Sequence, residues 1–223
     1  MGYIPLFLNV EDAACLVVGG GKTALRKAQM LLDAGARVVI ISPQFDSAFA
    51  DLQSRCGRAL TLRQETYSTS DLSAFQLVFA ATNQHALNRT IAEDARRNGI
   101  WVNVVDEPDL CSAICGAVLQ RGPVQMAVST GGICPTLAVA LRDELAVQYP
   151  DTTGTFAAAM GNLRDWLREH CPEMEMRKRV LHRLASRENR DRCRGWEPAA
   201  LLPKLQHDAE QLLREFGKTG LRD

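Results

Sequence analysis

Three consecutive glycines place the strongest constraint on this chain. Gly19, Gly20 and Gly21 directly follow the apolar run at residues 14–18, ACLVV. The stretch KTALRKAQMLLDAGA comes next, with Ala24, Ala28, Leu31 and Leu32 at helical spacing and Gly35 as its stop. A strand that turns on glycine into a helix leaves backbone N–H groups free at the helix start, where the dipole is positive. Gly19-Gly20-Gly21-Lys22-Thr23-Ala24 fits G-x-G-x-x-A in that setting. The first glycine allows the tight turn. Gly21 lets backbone approach a pyrophosphate, and Ala24 lets the helix pack closely on the strand. The pattern predicts a dinucleotide site. The plain alternative is a glycine turn in an α/β protein that holds no cofactor.

The surrounding pattern supports that setting. Residues 37–41, 60–64, 76–81 and 101–105 read as further strands, and 46–55 and 86–98 as helices. Strands alternating with helices give right-handed crossovers and a parallel sheet. Strands apolar on both faces need helices on both sides. Residues 1–113 are therefore expected to form a Rossmann-like, doubly wound α/β domain. The pattern then changes. Residues 113–119 and 124–129 read as a hairpin about a turn at Gln120-Arg121-Gly122-Pro123. An amphipathic helix is expected over 135–148, with Pro135 in its first turn. Three more helices are expected, at 155–170, 174–189 and 198–216. The predicted layout is an NAD-binding domain (1–113), a small α+β region (114–150) and a C-terminal helical domain (151–223).

Ligands of open α/β sheets sit outside the carboxyl ends of the strands. Thr82 and Asn83 close the fourth strand and are placed to touch ribose or pyrophosphate, although a simple strand-end cap explains Asn83 equally well. A ribose-binding carboxylate usually follows the second strand. Ser42-Pro43 stands there, with no arginine for an extra phosphate, which favours NAD over NADP. Gly19, Gly20, Gly21, Lys22, Thr23, Ser42, Thr82, Asn83 and Val104 are the expected cofactor residues.

Charge and cysteine usage narrow the function class. The 26 basic and 26 acidic residues cancel, which argues against a general nucleic-acid binder. The 46% apolar content suits a packed core. No run reaches the roughly 18 apolar residues of a membrane span, and the first residues show no basic leader region. Seven cysteines without a small secreted framework point to reduced thiols and a cytoplasmic protein. Cys111, Cys115 and Cys134 invite a metal reading, but their spacing is not that of a structural zinc site, so no metal is assigned. His85, His170, His182 and His207 form no pair at ligand spacing; His85 alone opens a helix near the cofactor edge. Neutrality conceals one asymmetry: residues 177–194 hold eight basic and two acidic side chains. That stretch is either a solvated helix face or a steering surface for a polyanion.

Several segments line up with one family in order. They are GYIPLFLNVEDAACLVVGGGKTALRKAQMLLDAGARV, LVFAATNQHALN, NVVDEPDL and VQMAVSTGGICPTLAVALRDEL. Together they resemble the siroheme synthase family over residues 1–150, and the S-T-G-G-x-x-P-x-L-A-x-x-L-R segment at 129–142 is absent from generic dinucleotide domains. The resemblance implies NAD-dependent oxidation of precorrin-2, a tetrapyrrole, to sirohydrochlorin. In some members Fe2+ insertion follows, with Fe2+ or Co2+ as substrate metal. It also implies a homodimer through residues 114–150 and makes Asp106, in the N-V-V-D segment, the catalytic carboxylate. The spacing agrees on position, since Asp106 ends the fifth strand at the cofactor edge; alone, it would read as a turn cap before Pro108. Ser129, Thr130, Gly131, Gly132 and Arg142 are the expected substrate contacts, the first four reading equally as a helix cap. The chain departs from the family at Ala113 and Gly116, where an aromatic residue and a proline are common, with Cys111 and Cys115 alongside. That difference bears on metal insertion more than on dehydrogenation. The reading from a different class is a non-catalytic NAD-binding regulatory domain, which would need the glycine turn but not Asp106.

Overall fold

The computed structural model describes residues 2–68 and 72–219. The chain divides into two compact units: Met1–Cys115 with Gly131–Ile133, and Gly116–Thr130 with Cys134–Asp223.

The first unit is an alternating α/β structure. Its elements are β1 (Ala14–Val18), α1 (Lys22–Asp33), β2 (Arg37–Ile41), α2 (Ala48–Cys56), β3 (Leu60–Arg63), β4 (Leu77–Ala80), α3 (His85–Arg97) and β5 (Trp101–Val104). All strand pairs are parallel, in the order β3-β2-β1-β4-β5. The apolar runs form central strands because alternate side chains feed two cores. Cys15, Val17, Val38, Ile40 and Phe79 meet Ala24, Ala28 and Leu31 of α1 and Phe49 and Leu52 of α2. Leu16, Val18, Val78, Ala80, Val102 and Val104 meet Ile91, Ala92 and Ala95 of α3. The small residues of α1 and α3 bring these helices close to the sheet. Gly35, at φ +81°, ends α1, and the N–H of Ala36 bonds back to the carbonyl of Leu31. The strand order reverses between β1 and β4, and the ends of those strands flank the crevice where such sheets bind ligands.

The second unit pairs β6 (Ala117–Arg121) with β7 (Val124–Val128) in an antiparallel hairpin. Helices α4 (Pro135–Gln148), α5 (Thr152–His170), α6 (Met174–Leu184), α7 (Arg187–Cys193) and α8 (Pro198–Thr219) follow. Phe156, Leu163 and Leu167 of α5 bury against Val180, Leu184, Leu201, Leu205 and Ala209. Gly154 on α5 admits the hairpin tip, since a Cβ there would lie 2.4 Å from the carbonyl oxygen of Arg121.

Four expectations change. The hairpin turn is Gly122-Pro123 alone, with Gly122 at φ +52°, and Gln120 and Arg121 belong to the strand. Residues 113–116 are not strand: the N–H groups of Ser112 and Ala113 bond to Val102 O, and Asn103 Nδ2 donates to Ala113 O. The helix expected at 174–189 is two helices. Ser186 accepts a bond from the N–H of Asn189, and buried Asn189 donates through Nδ2 to Leu184 O, capping the break from both sides. Nor does α4 hide its apolar side: Leu137, Val139, Leu141 and Val147 are exposed, and only Ala138 is buried.

Candidate functional site

The ends of β1, β2, β4 and β5 open on one cleft of about 1290 Å³. Its floor is the glycine turn, and each glycine there answers a different demand. Gly19 sits at φ +130°, and a Cβ would lie 2.4 Å from Ala81 O. Gly20 is enclosed: a Cβ would lie 1.9 Å from Gln44 O, and Gly20 O accepts from the N–H of Asp46. Gly21 has nothing within 4 Å of its Cβ position. It is the N-cap of α1, with no side-chain cap bond and no acidic residue in the first turn. The open space therefore lies where first-turn N–H groups and the positive helix end favour an anion. This geometry fits a dinucleotide pyrophosphate. Lys22 and Thr23 complete that edge of the lining.

The far wall is built by the ends of β4 and β5. Asn88 is buried in the first turn of α3, with its amide fully used. Asn88 Oδ1 accepts from Thr82 Oγ1 at 2.7 Å and from Thr82 N at 3.3 Å, while Nδ2 donates to Thr82 O and to Glu107 Oε1. His85 Nδ1 lies 3.1 Å from the same Glu107 oxygen. The bond with His85 chiefly, and that with Asn88, hold the Glu107 carboxyl below the usual range, against partial desolvation. Asp106 precedes it, at φ +61° and exposed in the cleft lining. Tyr67 closes another edge. Its hydroxyl donates to Asp94, buried on α3 and paired to Arg97. Burial and that carboxylate push the Tyr67 phenol up, so it stays protonated.

Gly19, Gly20, Gly21, Lys22, Thr23, Ser42, Thr82, Asn83 and Asp106 all line this cleft. Val104 does not. It is buried in the α3-side core, and Val105, one residue on, lines the cleft instead, as strand alternation requires. Ser42 Oγ donates to Gln44 O at 2.6 Å, folding the β2 end onto the glycine turn. Gly131 and Gly132 belong to the first unit but are not part of the cleft lining, and a Cβ on Gly132 would lie 3.2 Å from the Pro108 ring. Thr130, in the second unit, braces the residue that precedes α4: its Oγ1 accepts from the N–H of Cys134. Arg142 pairs with its neighbour Asp143 at 2.7 Å. Glu107, Asn88, Asp46 and Tyr67 were not foreseen. Asn88, a polar residue at a core-facing position of α3, was the one legible sign.

Cys111 and several side chains of the basic stretch make contacts within the fold. Cys111 Sγ accepts from the N–H of Val104 and donates to Val104 O, binding the end of β5, and burial raises its thiol. Among the described residues, no three metal-ligating side chains gather. Arg177 bonds to Cys171 O, Lys178 to Glu175 and Arg190 to Ala185 O, while Arg187 and Arg194 share Asp191. Arg192 pairs with Asp208, and Arg179 lies over the Phe216 ring. Lys178, Arg187 and Arg194 stay more than half exposed in these pairs.

Comparison with known proteins agrees with this geometry. The model of a family of NAD(P)-binding domains matches residues 6–117, and that of the sirohaem biosynthesis protein central region matches 121–148. A siroheme synthase of Methylococcus capsulatus is 42% identical over 222 residues, covering 100% of this chain and 45% of that protein. One from Nitrosomonas europaea is 39% identical over 184 residues, covering 82% and 38%. The chain thus spans less than half the length of these curated relatives. The solved structure of SirC, a precorrin-2 dehydrogenase, superposes with a TM-score of 0.75 at 19% identity, over 96% of this chain and 100% of that one, a likeness of fold. The chain therefore belongs to the NAD(P)-binding family matched over residues 6–117, and it is a homologue of the siroheme synthases.

Proposed function

We propose that this chain oxidises precorrin-2 to sirohydrochlorin with NAD+, within siroheme biosynthesis. One observation carries the reading: a carboxylate, Asp106, is presented at the cleft by a left-handed backbone, in the same cleft as the glycine turn. A structural turn needs no acid there, and a sensor of the nucleotide alone needs none either. NAD+ supplies the hydride acceptor. Oxidation of the ring removes one hydride and one proton, and the Asp106 carboxylate is placed to accept the proton. Gly21 and the start of α1 hold the pyrophosphate, and Thr82 and Ser42 flank the ribose positions. The bend after β2 brings Asp46 and no arginine or lysine to the lining, which disfavours an extra 2′-phosphate and supports NAD over NADP.

The substrate's carboxylates and the metal step extend this reading. Ser129, Thr130, Gly131, Gly132 and Arg142 remain the proposed substrate contacts. Insertion of Fe2+ or Co2+ would use Asp106 as the base for the departing pyrrole protons. The second unit is proposed to pair two copies: its two-stranded hairpin is short for an independent sheet, and α4 exposes apolar side chains beside it. Seven free thiols and use of the pyridine-nucleotide pool suit a reducing compartment, the cytoplasm. Among the described residues, no helix is long and apolar enough to cross a membrane.

The test supplies purified protein with precorrin-2 and NAD+, follows NADH, and then adds Fe2+ or Co2+. Asp106→Asn is expected to bind NAD+ normally and to lose oxidation. Full oxidation by that variant would refute the role of Asp106. NADH without metal insertion would define a dehydrogenase alone. Nucleotide binding without turnover by the wild type would select the regulatory reading.

A further inference from the structure

We propose that Glu107 is a positioning residue that fixes the Asp106 carboxylate and the end of β4 as one rigid wall of the site. The proposal rests on the reading of Asp106 as the proton acceptor. Among the described residues, Asp12 and Asp106 are the only non-glycine residues at positive φ. A residue in that region of backbone space persists only where its neighbours over-determine it.

On the upstream side, the N–H of Val105 bonds to Ala80 O at 2.9 Å, as a continuation of the β4–β5 ladder. On the downstream side, the main-chain bond from Glu107 N to Val104 O is long, at 3.4 Å. The side chain of Glu107 supplies the firm anchor. Its Oε1 receives Asn88 Nδ2 at 3.3 Å and stands 3.1 Å from His85 Nδ1, both within the first turn of α3. A helix N-terminus favours a carboxylate at that place. Cys111 Sγ, which accepts from the N–H of Val104 and has its one S–H within reach of Val104 O and Glu107 O, holds the segment from its other side.

The anchor reaches further than Asp106. Asn88 spends its other three contacts on Thr82, at the end of β4. A continuous chain of bonds therefore runs from Glu107 through Asn88 to Thr82. Thr82, His85, Asn88 and Asp106 line the cleft, and Glu107 stands behind them. Glu107 thus acts through others. It couples a residue placed at the cofactor to the residue placed at the reacting proton. Its carboxyl is held ionised by His85 and Asn88, so the anchor is a charge-assisted one.

The test compares Glu107→Ala and Glu107→Gln with the wild type in two measurements. The first is hydrogen exchange of the ligand-free protein, read on the peptide spanning residues 104–110. Exchange at Val105–Glu107 is expected to quicken in Glu107→Ala and to return toward wild type in Glu107→Gln, whose amide oxygen still receives Asn88. The second is steady-state oxidation of precorrin-2. A misplaced reacting group costs roughly ten- to hundredfold in rate, so kcat is expected to fall by that factor in Glu107→Ala. KM for NAD+ should stay within about twofold, since Thr82 keeps its three contacts with Asn88 when Glu107 is lost, and Glu107→Gln should recover most of kcat. Unchanged exchange at 105–107, or a loss expressed wholly in KM for NAD+, overturns the proposal. If Glu107→Ala does not fold, His85→Ala removes one arm of the anchor at an exposed position, and the same exchange increase is expected of it. If the wild type itself forms no NADH, the assignment of the reaction fails, and the exchange result still decides whether Glu107 holds the Asp106 segment.

Discussion

Alanine at Gly19 and at Gly21 should damage this protein in opposite ways. At Gly19 the backbone has φ +130°, and the new Cβ would stand 2.4 Å from Ala81 O and 2.8 Å from Ala81 C. Those are backbone atoms of the β4 end, which cannot rotate away. Forcing an L-residue into a glycine-only region costs about 1–3 kcal/mol, and overpacking against a fixed neighbour adds about 1–3 kcal/mol. A total near 4 kcal/mol should lower the melting temperature of the first unit on the order of 15 °C. At Gly21 the backbone is extended, φ −92° and ψ −178°, and nothing lies within 4 Å of the Cβ position. Glycine is a better N-cap than alanine by up to about 1 kcal/mol. Stiffening the unfolded chain offsets roughly 0.4–1 kcal/mol of that, so the melting temperature should barely move. Binding should suffer instead. The methyl group would occupy the space in which the pyrophosphate meets the helix, at about 1–3 kcal/mol, or roughly ten- to hundredfold in Kd. Differential scanning calorimetry and calorimetric titration with NADH separate the two effects. Wild-type affinity in Gly21→Ala would refute the placement of the pyrophosphate. An unshifted melting temperature in Gly19→Ala would refute the steric argument for the turn.

Three further outcomes test the fold and the assembly. Burial raises the Cys15 thiol from its ordinary 9.0 to about 11. Native-state alkylation followed by peptide mass spectrometry should therefore mark exposed Cys115 and Cys134 and spare Cys15. Because the folded protein holds this proton more tightly, its stabilising effect is complete below about pH 9 and is lost as pH rises toward 11. Urea titrations of wild type and Cys15→Ala across that window should converge. A stability difference independent of pH would contradict the burial argument. For the proposed pairing of two copies, Leu137→Glu and Val147→Glu place charge on the exposed apolar residues of α4. Sedimentation should show dimers for the wild type and monomers for the variants. A monomeric wild type at all concentrations would refute the pairing.

The parallel sheet was legible because its strands are buried on both faces and so are written as unbroken apolar runs. ACLVV and RVVII are β1 and β2 to the residue. The break between α6 and α7 was not legible, because the stretch 177–194 has uniformly helical, charged composition. Ser186 and Asn189 decide it, and Asn189 acts through burial and a bond to Leu184 O that no local pattern announces. The same reason hid Glu107. In the sequence it is one acid beside another, and only the return of α3 against the end of β5 separates their duties. Val104 shows the opposite limit: the strand was identified, but its alternation had to be fixed to the residue before Val105 could be told from Val104.

The glycine turn marks where sequence reading reaches its resolution. Three identical residues form one motif in the sequence, and the structure sets it between β1 and α1. The structure gives each a separate physical cause. Gly19 is required by its dihedral and by Ala81. Gly20 is required by the loop after β2, whose Gln44 carbonyl occupies the volume of a Cβ. Gly21 is required by neither backbone nor neighbour, since both would admit alanine. A glycine that its own fold does not need points to something outside the chain that does need the space. Of the three, Gly21 is the one whose identity argues for a ligand rather than for a turn, and substituting it separates binding from folding.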